Sequence, residues 1–274
     1  MAELFTRLLL ATEHTEFDSG AENVGLALAK RCQRPLAVVL PLVSNPEYEA
    51  LAPQLAARAE REAASKIAAL RGQADAQGVP IELSVRRGEE PYQEIVEEAR
   101  AQGSDLIVIR RRGKRSLLAN LLVGEMVSKV VAHAPCAVLI VPRGAGLWHQ
   151  RVLVAAEPTP QGRRLVGTAA AVAAECDLPL QIVCVSTGEA QRQSAQAFMA
   201  EALLLARHAG ASAQAEVRSG KPFTEILAAA AACQADLIVI GSRSDSHIGR
   251  ALVGGVAQKV LGLSEHPVLV QHFQ

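Results

Sequence analysis

The stretch from Gly241 to Val256 holds the residues best placed to do chemistry. It reads Gly241-Ser-Arg-Ser-Asp-Ser-His-Ile-Gly249-Arg-Ala-Leu-Val-Gly254-Gly255-Val256 and follows the aliphatic run Leu237–Ile240. A glycine directly after a buried strand lets the backbone turn tightly. A later glycine pair that opens a helix presents backbone N–H groups at a positive helix end, which suits phosphate oxygens. Ser242, Arg243 and Ser244 add donors. The same spacing also serves a plain strand-to-helix connection packed with small residues, because an isolated glycine loop is a weak signal. On spacing alone both readings stand.

The first half of the chain has a counterpart with different chemistry. Arg110, Arg111, Arg112, Lys114 and Arg115 concentrate positive charge around Gly113, and Gly124 is followed by Glu125. The basic run reads first as a solvated loop, and second as a contact for an anion, an RNA or an acidic partner. A carboxylate at Glu125 repels a polyphosphate. Glu13 and Glu157 end the first aliphatic run of each half. Each stands at the carboxyl end of a strand, where folds of this kind place their ligands.

Other catalytic constellations do not assemble. Ser219-Gly-Lys-Pro222 lacks the leading glycine and the hydroxyl of a phosphate-cradling Gly-x-x-x-x-Gly-Lys-Ser/Thr loop. There is no Gly-x-Ser-x-Gly elbow and no His-Glu-x-x-His pair. Nothing in the sequence pairs a nucleophile with a base, so no dedicated catalysis is expected. Asp105 and Asp236 each begin a buried strand and read as structural residues rather than metal ligands.

The elements that position these residues come in two sets. Asp-Leu-Ile-Val-Ile occurs at Asp105–Ile109 and again at Asp236–Ile240, with the same flanking features in the same order. Leu8–Glu13, Val85–Pro91, Gly124 and Ala137–Val141 answer to Val152–Glu157, Val217–Pro222, Gly254 and Pro267–Val270. The second copy is shorter, mostly between the counterparts of Leu40 and Ile81. This is an internal duplication, with domains at 1–143 and 150–274 joined by a linker containing two glycines and Trp148.

Short Val/Ile/Leu runs suit strands buried on both faces of a parallel sheet. They fall at Leu8–Thr12, Leu36–Leu40, Leu106–Ile109 and Val138–Val141, and repeat at Val152–Ala156, Leu180–Val185, Ala213–Val217, Leu237–Ile240 and Val268–Gln271. Ile81–Val85 alternates instead and belongs nearer an edge. Leu51, Leu55, Ala59, Ala63, Ile67, Leu70 and Ala74 step by three or four residues and share one helix face. Strand–helix alternation of this kind builds a doubly wound, Rossmann-like α/β domain. Its ligands bind outside the carboxyl ends of the strands, where the strand order switches.

Composition narrows the function classes. The net charge is zero, which gives no global pull toward nucleic acid or an anionic membrane. No uncharged apolar stretch is long enough for a membrane span, and Leu8–Leu10 is too short for a signal-peptide core. The five cysteines are scattered, without Cys-x-x-Cys spacing. They read as small buried hydrophobes in a reducing cytoplasm.

The order Val-x-x-Gly-x-Pro, Asp-Leu-Ile-Val-Ile-Gly, a glycine-rich loop and a closing Pro-Val-Leu-Val resembles the universal stress protein family, in its tandem form, over both halves. The resemblance implies two five-stranded parallel α/β domains, each with helices on both faces. ATP-binding members carry Gly-x2-Gly-x9-Gly-Ser/Thr. Here Gly241 and Gly254 match, Ser244 stands at the second glycine and Gly255 at the terminal hydroxyl position. The first half departs further, with Arg110 at the first glycine and Glu125 at the last position. The family usually carries Asp, near adenine and ribose, where Glu13 and Glu157 stand; the resemblance implies an acceptor for a ribose hydroxyl or an adenine amine at each, and an exposed carboxylate at a strand end is the equal alternative.

The resemblance therefore implies an adenine-nucleotide site, for ATP or AMP, in the second domain. Its residues would be Glu157, Val217, Gly220, Gly241, Ser242, Arg243, Ser244, Gly254, Gly255 and Val256, with Mg2+ accompanying ATP and any hydrolysis slow and incidental. It also implies pairing of the two domains within the chain, or of two chains as a homodimer. The competing expectation is a nucleotide-free interaction protein that meets an unidentified protein partner through its surface, with the basic run at Arg110–Arg115 as the candidate patch.

Overall fold

A computed structural model of the chain describes residues 4–44, 53–111, 124–242 and 253–273. They divide into two compact units, one through Leu147 and one from Trp148.

In the first unit the elements run β1 (Leu8–Ala11), α1 (Ser19–Cys32), β2 (Leu36–Val43), α2 (Pro53–Gln77), β3 (Ile81–Gly88), α3 (Pro91–Ala101), β4 (Leu106–Arg110), α4 (Glu125–His133) and β5 (Ala137–Val141). The strands pair in the order β3-β2-β1-β4-β5, all parallel. Leu8 lies beside Leu36 on one side and Leu106 on the other. β1, β4 and β5 are buried at every position. Successive strand side chains point to opposite faces, so both faces of this sheet are covered. The helices pack in two pairs, α1 with α2 and α3 with α4.

The second unit repeats the plan. Its elements are β6 (Val152–Ala155), α5 (Pro160–Glu175), β7 (Leu180–Ser186), α6 (Glu189–His208), β8 (Ala213–Ser219), α7 (Pro222–Cys233), β9 (Leu237–Gly241), α8 (Gly255–Leu263) and β10 (Val268–Gln271). Its strand order is β8-β7-β6-β9-β10, again parallel. The helices pair as α5 with α6 and α7 with α8. Each unit is thus a five-stranded, Rossmann-like α/β domain. The strand order switches between β1 and β4, and between β6 and β9.

Three local expectations need correction. β2 and β3 run on to Val43 and Gly88, which pair with each other. Beyond Val39 β2 has left β1 behind, a setting that tolerates Pro41 inside a strand. On α2, Ala63, Leu70 and Ala74 are buried, but Leu55 and Ala59 are exposed and Ile67 is half-buried; Leu51 lies outside the described residues. A helix of 25 residues extends about 37 Å, whereas the 8-residue strands it follows extend about 26 Å. The helix overhangs its sheet. Trp148, read as part of a linker, is buried, and the next three backbone N–H groups, of His149, Gln150 and Arg151, all donate to the Asp236 carboxylate. β3, which alternates along its length, is the outer strand of its sheet.

Among the described residues no helix is long and apolar enough to cross a membrane.

Candidate functional site

The strand-order switch of the second domain opens into a cleft with about 100 Å3 of free volume. Small residues make the room: Ala155 and Ala156 at the end of β6, and Gly241 at the end of β9. Val183 and Val185 of β7 form the floor, and Pro222 and Ile226 of α7 form one wall. Leu165 of α5 and Phe273, just past β10, complete the apolar lining. Glu157 is the only carboxylate among the described lining residues.

Local sequence explains the walls. Thr159 caps α5, accepting the Gly162 N–H at 3.0 Å, and Pro160 occupies the first turn, where its missing N–H costs nothing. A Cβ on Gly162 would collide with the Glu157 carbonyl oxygen, so only glycine lets the helix sit this close to the turn that carries Glu157. On the opposite wall Gly254 is the N-cap of α8. Its N–H donates to the Ser242 carbonyl at 3.1 Å, and the Ser242 N–H donates to the Gln271 carbonyl at 3.0 Å. These two bonds bring together the residues on either side of the segment 243–252, which lies outside the described residues. The first N–H groups of α8 have no acceptor within the helix and carry its positive end. Val256 and Ala257 of this turn line the cleft.

Of the residues singled out in the sequence, Glu157, Gly241, Gly254 and Val256 line this cleft. Ser242 clips its rim, and Gly255 is exposed with open space around its Cα. Arg243 and Ser244 fall outside the described residues. Val217 and Gly220 are not among the lining residues: Val217 pairs with Cys184 inside the sheet, and Gly220 packs against Glu225 at φ +147°. The turn they lead into delivers Pro222 and Ile226 instead. Thr159, Leu165, Val183, Val185 and Phe273 were not anticipated. Phe273 gave no periodic signal, and Val183 and Val185 read as ordinary residues of the strand Leu180–Val185.

The equivalent place in the first domain is filled. Arg110, at the position of Gly241, turns inward and leaves only 4% of its side chain exposed. Its Nη1 donates to Asp18 Oδ2 at 2.7 Å and to Thr15 Oγ1 at 2.8 Å, and its Nη2 lies 3.0 Å from Glu13 Oε2. Asp18 also accepts the Thr15 N–H and hydroxyl. The pocket that the described residues line there has about 10 Å3 of free volume, the space of one water molecule. The expectation of a solvated basic loop is therefore wrong for Arg110, whose charge is neutralised by carboxylates from the β1–α1 turn. Arg112, Lys114 and Arg115 lie outside the described residues. Glu125 is exposed and pairs with Lys129 at 3.0 Å.

Asp105 and Asp236 do equivalent work in the two domains. Asp105 accepts the N–H groups of Thr6 and Arg7, and Asp236 those of His149, Gln150 and Arg151. Each anchors the chain entering the first strand of its domain. Among the described residues no cluster of His, Cys, Asp or Glu could hold a metal ion.

Comparison with known proteins agrees with this architecture. The model of the universal stress protein family matches residues 4–142 and again 149–272. A Thermus aquaticus protein, the universal stress protein in QAH/OAS sulfhydrylase 3′region, is 32% identical over 145 residues, covering 50% of this chain and 99% of that protein. The crystal structure of a universal stress protein from Archaeoglobus fulgidus DSM 4304 superposes with a TM-score of 0.74 at 21% identity, covering 98% of both chains. A structure from Pseudomonas aeruginosa UCBPP-PA14 gives 0.69 at 20% identity, over 98% of this chain and 94% of that one.

Proposed function

The chain belongs to the universal stress protein family as a tandem two-domain member, and from that premise we propose that its second domain binds one adenine nucleotide, ATP or AMP, as a regulatory ligand in a stress response. One observation carries the reading. The same place in the fold is an open cleft in the second domain and a filled one in the first, about 100 Å3 against about 10 Å3. The difference follows from Gly241 standing where the other domain has Arg110.

The residues present fit such a ligand. An aliphatic floor with Ile226 and Phe273 suits the flat face of a base. Glu157 can accept from a ribose hydroxyl or an exocyclic amine. The first turn of α8 presents unpaired N–H groups and a positive helix end to a phosphate. With a single carboxylate among the described lining residues, Mg2+ accompanying ATP would depend on the phosphates for most of its ligands. The reading needs binding alone. A ligand that fits one state of a protein better than another shifts it toward that state. We place this activity in the cytoplasm, where such nucleotides are available and where five free cysteines are kept reduced.

Calorimetric titration of the nucleotide-free protein with ATP and AMP tests the proposal. One saturable site per chain is expected. Gly254→Asp should abolish it by setting a carboxylate against the phosphate, while aspartate remains a good N-cap and α8 persists. Affinity retained in that variant, at unchanged thermal stability, overturns the site. The absence of any binding in the parent protein overturns the function.

A further inference from the structure

We propose that the β1–α1 turn of the first domain is a guanidinium site filled from within by Arg110, and that this internal cation occupies the position where the second domain takes its nucleotide. The second clause rests on the nucleotide reading above; the first stands on geometry alone. Glu13, Thr15 and Asp18 converge on one planar cation from a single turn, with contacts of 2.7 to 3.0 Å. Asp18 is 1% exposed and Arg110 4%. Neither Arg110 nor Asp18 can lose its partner without leaving a charge stranded away from water.

The site's preference for a guanidinium follows from its shape and charge. Two carboxylates flank one cation, so the pocket without Arg110 is anionic and would repel a phosphate. The acceptors lie around the outer nitrogens of a planar fork, a geometry a guanidinium meets and an ammonium does not. Nε of Arg110 is buried with no hydrogen-bond partner. The tether fixes how the plane lies, whereas a small free guanidinium is able to turn. Removing the side chain should therefore leave a site that takes an organic guanidinium from solution and still refuses nucleotide.

The test uses full-length Arg110→Ala and methylguanidinium chloride in the millimolar range, at constant ionic strength set with sodium chloride. Arg110→Ala should lower the melting midpoint of the first domain by roughly 6–15 °C. Methylguanidinium should restore part of that loss with a saturable dependence. The parent protein and an Arg110→Ala/Asp18→Asn double variant should not respond. If Arg110→Ala does not fold, Arg110→Lys serves: it keeps a charge but loses the fork, and should show an intermediate loss of stability. An unchanged midpoint in either variant overturns the proposal, as does an equal response of the parent protein to methylguanidinium. No step of this test uses nucleotide, so a failure of the second-domain site leaves its outcome untouched, and the converse also holds.

Discussion

Asp18 and Arg110, 92 residues apart in the chain, meet at 2.7 Å with both side chains withdrawn from solvent. The contact exists because β1 and β4 are neighbours in the sheet, so the turn after Ala11 faces the last residue of β4. Its energetic meaning is asymmetric. The attraction between two buried charges largely offsets the cost of desolvating them, but removing one partner strands the other.

Asp18→Asn should therefore destabilise the first domain by about 3–5 kcal/mol, read from urea denaturation. The amide keeps the volume and loses the charge, leaving Arg110 with Glu13, which is 38% exposed, as its remaining carboxylate. An Asp18→Leu/Arg110→Met pair should recover most of that loss, because neither position then buries a charge. Additive effects of the two replacements in a double-mutant cycle would show that the residues are not coupled.

Gly162 makes a second prediction about position. With any side chain there, α5 must move off the Glu157 carbonyl. Gly162→Ala should cost about 1–3 kcal/mol in the second domain, as overpacking does. Because the displaced helix carries Leu165 and the displaced turn carries Glu157, both lining the cleft, nucleotide affinity should fall with stability. A variant that loses neither would mean the turn moves freely, and Glu157 would then lack the fixed position the proposed site requires.

What could be read from the sequence divides along a physical line. Strands covered on both faces appear as unbroken aliphatic runs, so β4 and β9 could be seen at once, and their repetition exposed the duplication. The aspartates that open those runs read as structural, and the reason appears only in three dimensions: their carboxylate oxygens meet backbone N–H groups 99 and 87 residues earlier in the chain. Arg110 was misread because four other basic residues follow within five positions, which is the pattern of a solvated loop. Its partners at positions 13, 15 and 18 become neighbours only through sheet topology. Phe273 reaches the cleft from beyond the last strand, where periodicity has ended.

Phe273 is accordingly the sharpest test of the apolar end of the cleft. Truncation to alanine removes an aromatic surface from the lining and leaves the strands and helices intact. Stacking of a base on an aromatic ring contributes about 1–3 kcal/mol by alanine substitution. Phe273→Ala should weaken AMP binding by at least roughly fivefold, with little change in melting temperature. Unaltered affinity would place the base elsewhere in the cleft.

The cysteines supply a prediction in pH. Burial, reinforced by the Asp105 carboxylate, pushes the Cys136 thiol up to about 12 from 9.0, although it is only half-buried. Burial and the Glu157 carboxylate push Cys184, the one fully buried cysteine, up to about 11. The remaining three are half-buried rather than core residues. The thiolate is the reactive form, so iodoacetamide at pH 8 should leave Cys136 and Cys184 unmodified in the folded protein and modify both in urea. The same shifts bear on stability. Above pH 9 the unfolded chain releases protons that the folded one retains, which favours unfolding. The stabilisation is complete below pH 9 and is lost progressively up to about pH 11 for Cys184 and about 12 for Cys136. Urea midpoints should decline over this range, and the decline should flatten in a Cys136→Ala/Cys184→Ala variant. An equally steep decline in that variant would assign the alkaline loss to other groups.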